Sequence, residues 1–595
     1  MSLTFHKLVI DSNLTGTYAG LQNYDQSTMN IDDSDPWVIN WSTSNKGFAL
    51  DCFQKGVILS NGVITLESSF DIPGVRSSRL HEFETFCPFG FYFSDNLFVE
   101  SQKMDFKKGI LETNYKFIRD EEVVRCVARI FVSQNDVHVV QQELLFDKPN
   151  IKVYRKVYSK PNIYGIQYHN GVEYQEDSTL PTSMQMLSGE ATLADSHRTA
   201  VAFASSYTCD DMEYLGMKRT DYGATCYEVI KINTAFTPVK VATVLGSEKD
   251  FEKPYDKLRV MLTNRKEDGF IEQENAWKVL WNRGTVEVAG SITNALRAAL
   301  YELWVQVRPT NYVDSDKLLS SLEGMAYILP LYVMMRPSVA KTMIEHLPHS
   351  PLLAFHAWNC YRASGDKNWL RLHGFPVIER AANDISRMYM QNDEPNGLSA
   401  FDLYVNKAVI KYAMQAAYVL HLQVFYDWRS ADNLTPLTKF SQKSSFVLEF
   451  SDKLNPLILM PYYSEIFLQQ INIDQETVIN SNLNAINISN IEVDKAILGS
   501  LYGILGQKNK YLGVIQDLED RKLTGIWKQF DNKLTAAKYL WLYIEGGAQL
   551  QVVGHIEESG FASQGMGLNY VPENILPWRT LKVMTERRGL FITSK

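Results

Sequence analysis

The sequence changes its hydrophobic period near residue 265, and no single architecture can satisfy the parts on either side. Before that point apolar and polar side chains alternate, as in VVRCVARIFVS (123–133), VHVVQQELLF (137–146) and IKVYRKVYS (151–159). Alternation places every second side chain on one face, the pattern of a strand buried on one side. Clusters of Asn, Asp, Pro and Gly break these runs at close intervals, so the spacing predicts an antiparallel sandwich with only short helical pieces. From about residue 270 apolar residues recur every three to four positions, the spacing of helices that bury a stripe. ITNALRAALYELWVQV (292–307), SVAKTMIEHL (338–347), LLAFHAWNCYRASG (352–365), VIERAANDISRMYM (377–390) and VNKAVIKYAMQAAYVLHLQVF (405–425) read this way. KAILGSLYGILG (495–506) and KLTAAKYLWLYI (533–544) follow the same period, and WRTLKVMTERRGLFITS (578–594) returns to strand–turn–strand around Gly589. A β + α multidomain chain results: antiparallel β-sandwich, all-α domain, short β end.

At 595 residues the chain has room for two to four domains of about 150 residues each. Hydrophobic residues at 45% and charged residues at 21% place it among folded globular chains. Asp and Glu outnumber Lys and Arg 68 to 59, for a net charge of -9, and no basic stripe interrupts that balance. Nucleic-acid binding through phosphates requires the opposite sign, so it is not expected. No glycine-rich loop follows a strand, and neither a Gly-x-Ser-x-Gly elbow nor His-Glu-x-x-His occurs. The six cysteines (Cys52, Cys87, Cys126, Cys209, Cys226, Cys360) lack zinc-site spacing, so neither a metal nor another cofactor is expected. The start MSLTFHKLVIDSNLTG has no apolar run behind a basic end, and no window reaches 18 consecutive apolar residues. An intracellular, reducing setting without membrane insertion is the expectation.

Local stretches carry more. KGVILSNGVITLESSFD (55–71) and MDFKKGILETNYKF (104–117) precede ENAWKVLWNRGTVEVAGSITNALRAALYELW (274–304). LPLYVMMRPSVAKTMIEH (329–346), YRASGDKNWLRLHGFPVIERAANDISR (361–387), GGAQLQVVG (546–554) and ENILPWRTLKVMTERRGLFIT (573–593) follow. Taken in order, these resemble segments of glycoside hydrolase family 65. That family holds maltose, trehalose and kojibiose phosphorylases, acid trehalases and a glucosidase acting on collagen-linked disaccharides. The resemblance implies an N-terminal antiparallel β-(super)sandwich over 1–265 and a linker helix over 266–290. It further implies an (α/α)6 toroid over 291–570 and a C-terminal domain cut to a β-hairpin over 571–595. Inverting α-glucoside chemistry comes with it. One carboxylic acid protonates the leaving oxygen, and the attacker is phosphate or a water activated by a second carboxylate about 6.5–9.5 Å away.

In the family the general acid lies in G-P-D-E-Y-H-x-x-V-N-N-x-x-Y-T-N, just before a helix. GLSAFDLYVNKAVIKY (397–412) is similar to it, with Gly397, Val405 and Asn406 in register. Ala400 then occupies the acid's position and Ser399 the preceding Asp's. Glu394, in QNDEPNG (391–397), reads either as a relocated acid or as a solvated turn residue; Asp402 is a further alternative. The family's F-W-D-T-E corresponds to SLEGM (321–325), with Leu322 for the sugar-stacking Trp, Glu323 for the Asp and Met325 for the Glu. Glu323 is either a hydroxyl ligand or a helix-start carboxylate. K-Q-A-D-V corresponds to KLNPL (453–457), which keeps only Lys453. In LWLYIEGGAQ (540–549), Leu, Tyr and Ile stand where phosphorylases hold phosphate with Ser and His, and Glu545 is either the base or an exposed helix-end residue.

Scaffold residues thus persist at four landmarks whose chemical residues are replaced. One reading is a degenerate family member, a non-catalytic carbohydrate-recognition or structural and assembly protein. The other is an inverting α-glucoside hydrolase with Glu394 as relocated acid and Glu545 as base. In both, Glu323, Lys453, Asn406 and Asp402 are the candidate substrate-binding residues and an α-glucoside or glycan is the expected ligand. The resemblance also implies a homodimer or larger protein assembly, with neither nucleic acid nor membrane as partner.

Overall fold

A computed structural model of the chain describes residues 37–42, 58–61, 64–67, 74–77, 91–92, 98–119, 121–157, 166–168, 173–175, 184–192, 198–219, 226–247, 252–263, 269–283, 285–288, 292–305, 319, 321–391, 398, 400–434, 498–499, 502, 507, 509–511, 513–514, 536–540, 580–584 and 589–593. They belong to two compact units that divide between Leu280 and Trp281.

The first unit is a set of antiparallel strands. In chain order these are β1 (Val38–Ser42), β2 (Ile58–Ser60), β3 (Ile64–Glu67), β4 (Gly74–Ser77), β5 (Phe91–Tyr92), β6 (Phe98–Asp105), β7 (Ile110–Arg119) and β8 (Glu122–Val132). There follow β9 (Val139–Phe146), β10 (Ile151–Val157), β11 (Ile166–Tyr168), β12 (Glu173–Gln175), β13 (Met184–Thr192), β14 (Arg198–Thr208), β15 (Met212–Arg219), β16 (Cys226–Ile232) and β17 (Val239–Ser247). A large sheet has the order β1-β6-β7-β8-β9-β17-β14-β13-β11, with β12 also paired to β13; β15-β16-β10-β5 and β2-β3-β4 are smaller sheets. The result is an antiparallel half-barrel. Its core takes Phe117, Val124, Cys126, Leu144 and Phe146 from the large sheet and Ile151, Val153 and Ile232 from the second. Full burial of each large side chain contributes about 1.5–3 kcal/mol.

On β10 the same alternation that sends Ile151 and Val153 inward also sends Arg155 inward, where it is fully buried. Its Nη1 lies 3.3 Å from the carboxylate of Glu228, its direct partner in the β10–β16 register. Nη2 donates to the Ser205 carbonyl at 2.9 Å and hydroxyl at 3.0 Å, and the guanidinium sits 4.8 Å from the Tyr207 ring centroid. Arg155 therefore ties the second sheet to β14 of the large one.

Two short helices close the first unit's sequence, α1 (Pro254–Thr263) and α2 (Gly269–Arg283). Buried amides fasten α2. Gln273 accepts from the Gln134 backbone N–H at 2.9 Å and donates to the Val132 carbonyl at 3.0 Å; the Gln134 side chain donates to the Ser60 carbonyl at 2.8 Å. Asn61 accepts from the Ile64 N–H at 2.9 Å and donates to the Ser133 and Val137 carbonyls at 2.7 and 2.9 Å. Three segments distant in sequence are thereby locked at the β8–β9 turn. Beside them Gly109, with φ +63°, lies under the buried indole of Trp277, where an added Cβ would come within 2.0 Å of the ring nitrogen.

The second unit opens with β18 (Thr285–Val288), which pairs with β19 (Thr580–Met584) and through it with β20 (Gly589–Thr593). Its helices are α3 (Ile292–Trp304), a π-helical turn (Gly324–Ile328) running into α4 (Leu329–Met335), α5 (Pro337–His346) and α6 (Pro351–Ser364). Next come α7 (Lys367–Trp369), a second π turn (Leu370–Gly374), α8 (Phe375–Gln391), α9 (Ala400–Val419) and α10 (Tyr426–Leu434). Helices α4, α6 and α9 pack side by side in one row; α5, α8 and α10 pack against them in a second. Sequence dictates the division. Leu352 to Tyr361 of α6 are buried on every side, whereas α8 buries Phe375, Ile378, Ala382, Ile385 and Tyr389 and exposes Arg380, Asp384 and Arg387. Late helical residues 536–540 join this unit's first row: Lys538 Nζ lies 5.2 Å from the centroid of Tyr327 in the first π turn.

Element ends follow local rules. Ser350 caps α6 by accepting from the Leu353 N–H at 3.1 Å, and Gly365 closes it at φ +65°. Helix α9, expected over 405–425, instead runs from Ala400 and stops at Val419. The apolar period continues through Val424, but His421 turns left-handed at φ +56°, with His421 N–H bonded to Tyr418 O and Leu422 N–H to Ala417 O. That Schellman closure overrides the pattern. Among the described residues no helix is long and apolar enough to cross a membrane.

Within α6, His356 is buried beside Met325, and neither ring nitrogen has a hydrogen-bond partner among the described residues. Burial pushes its pKa down to about 3, against a smaller opposing pull from the Met325 backbone. The unfolded chain binds a proton below about pH 6.5 that the folded chain refuses until about pH 3. Stability from this site is full above that window and falls as pH drops through it, by up to about 1.4 kcal/mol per pH unit. In His356→Gln this contribution to the acid slope should vanish when urea unfolding is measured from pH 7.5 to 4.5; parallel slopes for the two proteins would refute it. Gly109→Ala should cost about 2–4 kcal/mol, combining left-handed strain with overpacking against Trp277. Much of the packing part should return in Gly109→Ala/Trp277→Leu.

Candidate functional site

The reversal of direction between α8 and α9 sets the last turn of α8 beside the first turns of α9. Tyr389 from α8 there faces Asp402 and Asn406, which lie one turn apart on α9. Tyr389 and Asn406 are 5% exposed. Burial pushes the Tyr389 phenol above its usual range and the Asp402 carboxylate adds to the rise, while the Asn406 amide acts the other way. The Tyr389 hydroxyl nevertheless stops short of hydrogen-bond geometry with Asn406, and Ser386, one turn earlier on α8, has a buried hydroxyl in the same condition. Next along α9, Lys407 pairs with Asp432 of α10 at 2.9 Å and also donates to its main-chain carbonyl.

Glu323 stands immediately before the first π turn, on a different helix from Asp402 and Asn406. It does not cap that turn. Ser321 does, its hydroxyl accepting from the Gly324 N–H at 3.0 Å, and the Glu323 carboxylate makes no hydrogen bond or ion pair among the described residues. Leu322 beside it is 41% exposed, whereas Met325 is buried with its sulfur 3.6 Å from the Ser350 hydroxyl. The starts of the π turn and of α6 are therefore neighbours.

Asp402 and Asn406 thus stand one turn apart on α9, and Glu323 comes from a different helix. Glu394, Lys453 and Glu545 lie outside the described residues, and Ala400 is the first residue of α9. Tyr389 and His356 were missed from sequence. Tyr389 had a signal, since with Ser386 it puts a polar pair on the apolar stripe of α8. Among the described residues no cluster of His, Cys, Asp and Glu could hold a metal.

The sequence matches no family model and no curated protein. Solved structures do match. One assigned as a kojibiose phosphorylase from the human microbiome aligns over 96% of both chains, with a TM-score of 0.65 and 8% identity. A family GH92 inverting mannosidase from Bacteroides thetaiotaomicron VPI-5482 gives 0.49 at 10% identity, over 96% of this chain and 92% of that one. A second family GH92 α-mannosidase from Bacteroides thetaiotaomicron gives 0.48 at 10% identity, over 95% and 89%. At such identities the likeness is one of fold, that of a glycoside hydrolase or phosphorylase, and it assigns no residue a role.

Because its hydroxyl is buried without a bond, Tyr389→Phe should fold with stability equal to wild type or up to about 1 kcal/mol higher. Urea unfolding decides this. A loss beyond about 1 kcal/mol would mean that the hydroxyl is satisfied in solution.

Proposed function

We propose that this chain is a glycan-binding protein of family 65 type whose (α/α)6 domain has lost the groups of catalysis. The carrying observation is the residue at position 400, the first of α9. Where the family's acid stands, the chain has an alanine, which has no proton to give. Asp402 shares a side of α9 with buried Asn406, Val409 and Ala413, and there it faces Tyr389.

Further support comes from the two rows of helices, from the Lys538–Tyr327 contact between late and early helical residues, and from alignment over 96% of both chains with the kojibiose phosphorylase structure. Glu323, whose carboxylate is not used as a cap, Lys453, Asp402 and Asn406 are the proposed sugar ligands.

The test is glucose release from kojibiose, trehalose and maltose, with and without phosphate, together with calorimetric binding of each. Saturable binding without turnover is expected. Turnover abolished by Glu394→Gln or Glu545→Gln would overturn the reading in favour of an inverting hydrolase, and phosphate-dependent turnover would do so in favour of a phosphorylase. Folded protein with neither binding nor turnover would leave a structural or assembly role.

A further inference from the structure

Helices α9 and α10 bring two lysines to one carboxylate. Lys407 and Lys411 lie one turn apart on the same side of α9, and both are set against Asp432 of α10. Lys407 takes that carboxylate. It is buried, its Nζ lies 2.9 Å from Asp432 Oδ1, and it also donates to the Asp432 main-chain carbonyl. Lys411 is left over: its amino group makes no hydrogen bond or ion pair among the described residues, and its side chain is partly exposed, so a reagent can reach it. Lys407 and Asp432 are the two charged groups that act on it among the described residues. A second ammonium charge here would be partly withdrawn from water, beside Lys407, facing a carboxylate already in use. Burial is the main force holding the Lys411 pKa below the usual lysine range; Asp432 opposes it and Lys407 adds to it. The neutral amine, which is the nucleophilic form, is therefore present at lower pH than in a solvated lysine. Lys411 lies about 13 Å along α9 from Asp402, so this cluster is separate from the candidate site.

We infer that Lys411 is an acyl-acceptor lysine, a modification site for small activated acyl donors of the thioester class. The neutral Nζ attacks the thioester carbonyl carbon. A C–N bond forms, the C–S bond breaks, the sulfur leaves as thiolate, and Nζ gives up one proton to water; nothing is oxidised or reduced. The surroundings favour both ends of the step, since the nucleophile and the product amide are each uncharged. An aldehyde suits them less well, because its imine takes up a proton and restores the cation beside Lys407. Acylation also ends the competition for Asp432, so it should tighten the Lys407–Asp432 link between α9 and α10.

The test is to incubate the full chain with the acetyl thioester of N-acetylcysteamine from about pH 7 to 11 and follow each lysine by peptide mass spectrometry. Lys107, exposed in the turn between β6 and β7, is the internal reference. Lys411 should acetylate several-fold faster than Lys107 at about pH 8, and its rate should level off at lower pH. Lys407→Met releases Asp432 to Lys411 and should bring the Lys411 rate down to that of Lys107 or below. Lys411→Gln, which carries a neutral amide, should unfold at a higher urea concentration than wild type. The wild-type pH profile decides the matter even if Lys407→Met fails to fold. A Lys411 rate at or below that of Lys107, a pH midpoint shared with it, or an unchanged rate in folded Lys407→Met overturns the inference. An unfolding midpoint lowered by Lys411→Gln does the same for the tightened link.

Discussion

A helix with no solvent-facing side has nowhere along its length to put chemistry, and α6 is such a helix. Because Leu352 to Tyr361 are buried all round, the neighbours of α6 must be largely apolar where they touch it. The polar groups that remain gather at helix ends: Ser350, Glu323 and Asp402 all stand at or near starts. Others lie within helices, Asn359 and His356 on α6 itself and Ser386 on α8, and His356 is tolerated only as a neutral ring. The division into a buried row and an amphipathic row follows from the same limit, since only helices with one wet side can form the outside.

The first unit meets the problem differently. A strand cannot be polar at one inward position without aiming that residue into the core, and on β10 this sends Arg155 there. Its charge is tolerable because Glu228 arrives opposite it in register and Ser205 accepts from its far end. Breaking one side of such a pair leaves an isolated buried charge, which is far worse than never having had the pair.

How much was legible from sequence differed by element. The strands β8, β9 and β10 lie within a residue or two of the alternating runs, because a sheet with one buried face writes its period plainly. The closing hairpin around Gly589 was readable for the same reason. Helix α9 was displaced by about five residues, since a left-handed histidine ended what the apolar pattern would have continued. The stretches that looked familiar also have a physical reason to look so. Asn61, Gly109 and Trp277 come from three of them and meet around the start of α2, where a buried amide and a missing Cβ leave little freedom to substitute. The site was harder to read. Its residues come from separate helices, and a buried tyrosine such as Tyr389 is indistinguishable in sequence from one that simply packs.

The pairing of β18 with β19 bears on how the chain is made. Strand β19 emerges from the ribosome nearly 300 residues after β18, an interval of about 15–60 s at ordinary elongation rates. Through that interval β18 has neither of its sheet partners, while every strand the half-barrel needs has already appeared. Synthesis therefore orders the two units in time. The described strands of the half-barrel are made first, and the helical unit seals its sheet last, with an open strand edge in the meantime that a nascent neighbour could pair with.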